Sequence, residues 1–120
     1  MPDQAPLVIV GAGLAGLTVA LHVADRMPVI VLAKRELTEA ATAWAQGGIV
    51  GVLGSDDSID SHVRDTQDAG AGLVDEATAR FIAERSAQAV GWLVGQGVPF
   101  TPDDDGPLGL HLTREGGHAV

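Results

Sequence analysis

The sequence predicts an α/β fold with a parallel sheet, because two short apolar runs flank a glycine-rich turn and a helical segment. Residues 7–10 (LVIV) are apolar and mostly β-branched, as in a strand buried on both faces. Residues 14–25 are good helix formers, and residues 29–33 (VIVLA) form a second buried-strand run after Pro28. A strand, a helix and a second strand in this order make a βαβ unit, whose crossover makes the two strands parallel.

Two longer helices are predicted after this unit. The first begins near Asp57 or Ser58, both good N-caps, and is ended by Gly70 and Gly72. The second begins at Asp75 and ends in the glycines of residues 95–97. Helical spacing predicts one buried apolar stripe on this second helix, formed by Ile82, Ala89, Val90 and Leu93.

Composition and charge exclude several classes of function. A chain of 120 residues is long enough for one domain at most. Seven Lys and Arg against sixteen Asp and Glu leave a net charge of −9, which disfavours a nucleic-acid surface. The absence of cysteine excludes disulfides and thiolate chemistry and suits a protein of the cytosol.

The uncharged run at residues 5–24 has the length of a membrane span, so a membrane helix is an alternative. Its glycines argue against that alternative, because they lie where a strand would turn into a helix. A signal peptide would need a basic start and a small-residue cleavage site after the apolar run, and neither is present. We therefore expect a cytoplasmic protein with no membrane partner.

Gly11, Gly13 and Gly16 fit the pattern G-x-G-x-x-G between the first predicted strand and its helix. In a Rossmann-like fold the first glycine makes the tight turn, the second lets the backbone approach a pyrophosphate, and the third lets helix and strand pack closely. The N–H groups and the dipole of the helix start then bind phosphates. In this βαβ context the pattern predicts a dinucleotide site rather than a mere tight turn.

The end of the second predicted strand leaves the kind of dinucleotide open. An Asp or Glu usually binds the adenosine ribose at this place, but this sequence has Lys34, with Glu36 two residues later. Glu36 can take that role only if the strand is longer than predicted. A basic residue also suits the 2′-phosphate of NADP, so NADP is an alternative.

Three further motifs narrow the choice. The stretch from VLAK through AWAQGGI, then DSIDSHVRDTQDAGAG and finally HLTREGGH, closely resembles the L-aspartate oxidase family, within the larger succinate dehydrogenase and fumarate reductase flavoproteins. The likeness covers nearly the whole chain and implies FAD as the cofactor instead of NADP. It also implies that residues 1–120 are the N-terminal part of the FAD-binding domain, with the capping domain and the remainder beyond Val120.

The resemblance implies where the cofactor lies. Residues Ala12 to Ala15 would lie along the FAD pyrophosphate, and Lys34 would lie near the adenosine end. Residues 41–48 would wrap the cofactor, and a glycine pair there lets backbone N–H groups reach the flavin ring. Without the resemblance, that pair is simply a turn before the strand-like residues 49–53. The predicted cofactor-binding residues are Gly11, Ala12, Gly13, Leu14, Ala15, Gly16, Lys34, Ala41, Thr42, Ala43, Trp44, Ala45, Gln46, Gly47 and Gly48.

Two positions distinguish aspartate oxidases from their dicarboxylate relatives. The relatives carry a histidine that bonds covalently to FAD at the position of Ala41, so the resemblance implies non-covalent FAD. They carry an apolar aromatic residue at the position of Glu115, whereas a carboxylate there can accept hydrogen bonds from a substrate ammonium. Glu115 is therefore the predicted substrate-binding residue.

The resemblance implies that the full-length enzyme oxidises L-aspartate to iminoaspartate with FAD as hydride acceptor. Oxygen, giving hydrogen peroxide, or fumarate would reoxidise the flavin, and quinolinate synthase would use the product in de novo NAD biosynthesis. The family's catalytic arginine and histidine residues would lie beyond Val120, so we expect none here and an inactive isolated chain. The alternatives are a soluble fumarate reductase or succinate oxidase with non-covalent FAD, and a stand-alone nucleotide-binding module.

Other polar residues are interpreted as structural. His62 and His111 match the family pattern, but a lone histidine is more often a hydrogen-bonded structural residue. Arg64, Asp65 and Asp68 are predicted to form a solvated helix face with weak local pairs. No metal-ligand cluster is expected.

Overall fold

The computed structural model describes residues 4–36, 39, 41–45, 47–114 and 118. The chain forms two compact units, Met1–Gly48 and Ile49–Val120, and each is described by itself. Within the described ranges, no helix combines the length and the apolar character that a membrane crossing requires.

The first unit contains the predicted βαβ arrangement. Strand β1 spans Leu7–Val10, helix α1 spans Leu14–Val23, and strand β2 spans Val29–Leu32. The two strands pair in parallel, with Leu7 opposite Val29 and Val10 opposite Leu32. The α/β prediction and the parallel pairing are therefore confirmed, with boundaries within two residues of those expected.

Exposure alternates along both strands of this sheet. The side chain of Ile9 faces α1, since its Cγ2 lies 3.4 Å from the place that a Cβ on Gly16 would occupy. Leu7, Val29 and Val31 are half-buried like Ile9. The opposite face is apolar and exposed, and it carries Val8, Val10, Ile30 and Leu32. The expectation of strands buried on both faces thus holds for one face only.

Helix α2 of the second unit spans Ile59–Ala69 and begins where the sequence predicts. The hydroxyl of Ser58 accepts a hydrogen bond from the N–H of Ser61 at 3.1 Å, so Ser58 is the N-cap. The other candidate, Asp57, instead accepts a hydrogen bond from the N–H of Ser58 at 2.7 Å. Gly70 ends the helix, as expected.

Helix α3 spans Glu76–Gly95 and also has its predicted N-cap. The carboxylate of Asp75 accepts hydrogen bonds from the hydroxyl of Thr78 at 2.7 Å and from its N–H at 2.8 Å. These two bonds, the hydroxyl bond first, lower the pKa of Asp75. After the helix, Gly97 has a φ of +84°, a conformation that glycine adopts without strain.

The buried face of α3 differs from the predicted stripe. Val90 is buried and Leu93 is half-buried, but Ala89 is exposed and Ile82 is 61% exposed. The residues that α3 buries are Ala83, Ser86 and Val90. Hydrophobicity alone would favour burial of Ile82, so another contact determines which face of α3 is buried.

Ser86 explains this choice of face. Its hydroxyl donates to the carbonyl of Ala83 at 2.8 Å and accepts from the N–H of Val52 at 2.9 Å. A Cβ on Gly51 would lie 3.4 Å from the Cβ of Ser86, so small residues allow this stretch of backbone to lie against the helix. Residues 49–53 form no strand, which corrects the strand-like expectation; the N–H of Val52 has a side-chain acceptor instead of a strand partner.

Candidate cofactor-binding site

The glycine turn begins at the end of β1. Gly11 has a φ of +112°, which an L residue rarely adopts, so only glycine fits this turn without strain. Its N–H donates to the carbonyl of Leu32 at 2.8 Å and so joins the ends of β1 and β2. Ala12, the next residue, is buried. The N–H of Gly11 therefore serves the sheet, which leaves the predicted phosphate contact to the N–H groups that follow it.

Gly13 is the N-cap of α1, with φ −77° and ψ −178°. It has no side chain to cap the first turn, whose N–H groups have no acceptor within a helix. The helix dipole adds a partial positive charge at the same place. Both features suit an anion that binds directly to backbone N–H groups, as a pyrophosphate does at the start of a helix.

Gly16 lies on α1 where the helix crosses the turn. A Cβ on Gly16 would overlap the carbonyl oxygen of Gly11, so only glycine allows this close packing. Each glycine thus has a different structural role. Gly11 makes a turn with positive φ, Gly13 leaves the helix start open, and Gly16 lets the helix cross the turn closely. Together they form a cradle whose shape and donors fit a dinucleotide pyrophosphate.

The end of β2 places Lys34 on the surface. The strand ends at Leu32, and Lys34 and Glu36 are both exposed beyond it. Glu36 therefore lies four residues past the strand and does not take the place of a strand-end acid. The role of Lys34 near the adenosine stays a prediction.

Residues 41–48 contain a short 3-10 helix, Ala41–Trp44. Trp44 is 80% exposed, and Ala43, Ala45, Gly47 and Gly48 are exposed too. Gln46 lies outside the described residues, and so do the side chains of Ala41 and Thr42. The expectation that this segment wraps FAD is compatible with so many exposed residues and stays a prediction.

Glu115, the predicted substrate-binding residue, also lies outside the described residues. Two described residues flank it in the sequence. Arg114 is exposed, and His118 is half-buried. Binding of a substrate ammonium by Glu115 therefore stays a prediction.

A pair of stacked histidines, which the sequence interpretation missed, joins His118 to α2. The rings of His62 and His118 have centroids 4.1 Å apart and an interplanar angle of 17°. Nδ1 of His62 lies 3.9 Å from Oδ2 of Asp57, and Nδ1 of His118 lies 3.9 Å from Oδ2 of Asp65. All four side chains are between 10 and 19% exposed. No local periodicity predicts this cluster, because His118 is distant in sequence from the other three residues.

The environment of this pair affects the pKa of His62 and corrects the interpretation of Asp65. Burial of the ring, and then the neighbouring His118, lowers the pKa of His62, while Asp57 and Asp65 act in the opposite direction. Asp65 is half-buried and faces His118, so its predicted place on a solvated helix face is wrong.

Arg64 and Asp68 are exposed, as expected. His111 is 51% exposed and lies 3.6 Å from a carboxylate oxygen of Asp103.

A βαβ unit with such a glycine cradle at the helix start defines a dinucleotide-binding protein. The chain belongs to the FAD binding domain family, whose model matches residues 7–120. FAD as the cofactor is thereby confirmed, and the NADP alternative is rejected.

Curated relatives agree with the resemblance seen in the motifs. The chain is 61% identical over 112 residues to L-aspartate oxidase 1 of Ralstonia nicotianae, covering 93% of this chain and 21% of that protein. It is 50% identical over 119 residues to L-aspartate oxidase of Vibrio cholerae, covering 97% of this chain and 22% of that protein. The chloroplastic L-aspartate oxidase of Arabidopsis thaliana is 44% identical over 111 residues, covering 92% of this chain and 17% of that protein. The chain thus spans about a fifth of the length of these relatives.

Proposed function

We propose that this chain is the N-terminal part of the FAD-binding domain of an L-aspartate oxidase. The full-length enzyme then oxidises L-aspartate to iminoaspartate. The observation that carries the proposal is the glycine cradle of Gly11, Gly13 and Gly16, in a chain whose curated relatives carry this activity in their names. A location in the cytoplasm fits the sequence.

The residues of this chain bind and orient the cofactor. The first turn of α1 holds the pyrophosphate through backbone N–H groups, and Gly16 keeps α1 close enough to the turn for those groups to converge. Lys34 lies near the adenosine, and residues 41–48 cover the flavin end. When bound, FAD supplies the hydride acceptor, and oxygen or fumarate is the proposed final electron acceptor.

Glu115 distinguishes aspartate from succinate in this proposal. Aspartate carries an α-ammonium that succinate lacks, and a carboxylate accepts a charge-assisted hydrogen bond from it. The same carboxylate repels a dicarboxylate that brings no cation. The product, iminoaspartate, would pass to quinolinate synthase for NAD biosynthesis.

The proposal is tested by comparing two substrates of the full-length protein. With fumarate as acceptor and without oxygen, we expect aspartate-dependent formation of succinate from fumarate. The alternative, a fumarate reductase or succinate oxidase, predicts that succinate in place of aspartate is oxidised by an artificial acceptor at a comparable or higher rate. Preference for succinate would refute the aspartate oxidase assignment.

A second expected result concerns attachment of the flavin. Alanine at position 41 has no nucleophilic atom with which to bond to the flavin. Acid or heat denaturation of the full-length protein should therefore release all of its FAD into the supernatant, as absorbance of the two fractions will measure. Flavin that remains in the precipitate would show a covalent bond at another residue.

A further inference from the structure

Two histidines and two aspartates form a cluster in the second unit that the proposed function does not use. The rings of His62 and His118 stack with their centroids 4.1 Å apart, an arrangement that contributes attraction beyond the area it buries. Asp57 and Asp65 each place a carboxylate oxygen 3.9 Å from Nδ1 of one ring. Little of each side chain is exposed, so a charge on either ring is poorly solvated.

His62 is held in place by its own helix. Its N–H donates to the carbonyl of Ser58 at 2.9 Å, and its carbonyl accepts from the hydroxyl of Thr66 at 2.8 Å. Asp57 is fixed as well, because one of its oxygens accepts the N–H of Ser58 at 2.7 Å. The stack therefore attaches His118 to a part of α2 whose geometry is already determined.

The surroundings of the two rings do not favour a positive charge. Nδ1 of His118 is buried and has no hydrogen-bond partner among the residues that the structure describes. The facing carboxylates lie beyond hydrogen-bond distance, so neither gives a protonated ring a short charge-assisted bond. Protons on both rings would also place like charges 4.1 Å apart. Protonation should therefore weaken the stack.

The electrostatics of His62 act in the same direction. Burial of the ring, and then His118, lowers its pKa below the ordinary value of 6.5, and these effects outweigh those of Asp57 and Asp65, which raise it. The unstacked state thus binds a proton more readily than the stacked state. The contribution of the stack is fully present above about pH 6.5 and is lost as the pH falls through that value towards the folded pKa of His62.

We propose that His62, His118 and the two facing aspartates form a pH-sensitive latch, which holds residue 118 on α2 near neutral pH and loosens when the rings take up protons in acid. This inference goes beyond the proposed function and its test needs no substrate. By thermodynamic linkage, the free energy by which a proton on His62 weakens the stack equals the change in its proton affinity when the stack is removed. Removing the ring of His118 therefore measures the latch.

Hydrogen–deuterium exchange at C2 of the histidine rings suits this measurement in the full-length protein, because its rate depends on both the exposure and the protonation of each ring. Mass spectrometry after cleavage at lysine and arginine places the four histidines in separate peptides, and fragmentation localises the label: His22, His62, His111 and His118. Exchange measured over a range of pH then gives each ring its own titration curve.

In the native protein, the titration midpoint of His62 should lie below 6.5. Replacing His118 by alanine should raise this midpoint towards 6.5, because the ring that covers His62 and the charge it can carry are both removed. The exchange rate of His62 at high pH should rise roughly two- to tenfold, the factor that an aromatic pair contributes to a local opening equilibrium. Should the alanine variant not fold, His118→Gln also lacks the ring and gives the same comparison.

Three further variants complete the test. His118→Phe keeps a stacking ring that takes up no proton, so the exchange rate of His62 should stay native and its midpoint should lie between those of the native protein and the alanine variant. Asp57→Asn removes a carboxylate that raises the pKa of His62, so it should lower the midpoint further. His111→Ala removes an exposed histidine and should change neither value.

The same measurements can overturn the latch. A native His62 midpoint at or above 6.5 would do so, and so would a midpoint that His118→Ala leaves unchanged. Equally fast exchange of His62 in the phenylalanine and alanine variants would show that the stack does not hold the two rings together.

Discussion

Replacing Gly13 by valine in the full-length protein should abolish FAD binding and leave the fold largely intact. The φ of −77° and ψ of −178° at this N-cap are accessible to any L residue, so the backbone is not strained. The new side chain would instead stand where the backbone must meet the pyrophosphate. Flavin absorbance per mole of purified protein and far-UV circular dichroism measure the two effects separately.

Two further glycines serve as controls for this result. Gly16→Val forces a side chain against the carbonyl of Gly11, so it should lower thermal stability as well as flavin content. Gly91 lies exposed on α3 with no atom within 4 Å of an added Cβ, so Gly91→Val should leave both unchanged. A Gly13→Val protein with normal flavin content would show that the pyrophosphate does not lie at this turn.

Replacing Glu115 by glutamine should lower kcat/KM for aspartate by roughly ten- to a hundredfold. Glutamine keeps the shape and removes the charge, and a charged hydrogen bond contributes roughly 1.5–3 kcal/mol. Fumarate has no ammonium, so its use should be unchanged or improved once a repelling charge is gone. Steady-state kinetics with aspartate and with fumarate measure both effects.

The pattern of losses identifies the role of Glu115. Asp104→Asn removes one negative charge from an exposed turn and should leave the kinetics of both substrates unchanged. If Glu115 only ordered its own turn, its replacement would lower both activities together. Parallel losses would therefore remove Glu115 from substrate recognition.

The elements that sequence analysis predicted well are those that local chemistry determines. Ser58 and Asp75 cap α2 and α3 because their own oxygen atoms accept hydrogen bonds from residues three positions later. The glycine turn is equally local, since Gly11, Gly13 and Gly16 lie within one strand end and one helix start. The family resemblance indicates FAD as the cofactor, whereas the residue patterns alone do not distinguish FAD from NADP.

The errors concern contacts between distant segments. The buried face of α3 depends on Ser86 and the backbone of Val52, and neither would be found by counting apolar residues along the helix. The stack of His62 on His118 depends on where the chain returns to α2. The prediction that Asp65 lies on a solvated helix face is wrong for the same reason, because its partner His118 lies far along the chain.

The exposed face of the two-stranded sheet couples the predicted affinity for FAD to the packing of any segment that covers this face. A pair of strands is marginal by itself, and Val10 and Leu32 on this face stand at the strand ends that the Gly11 hydrogen bond joins. Any segment that covers Val10 and Leu32 therefore also stabilises the glycine turn, where the pyrophosphate is predicted to bind. By thermodynamic reciprocity, bound FAD strengthens that packing by the same free energy. Substitutions on this face should thus change the dissociation constant for FAD.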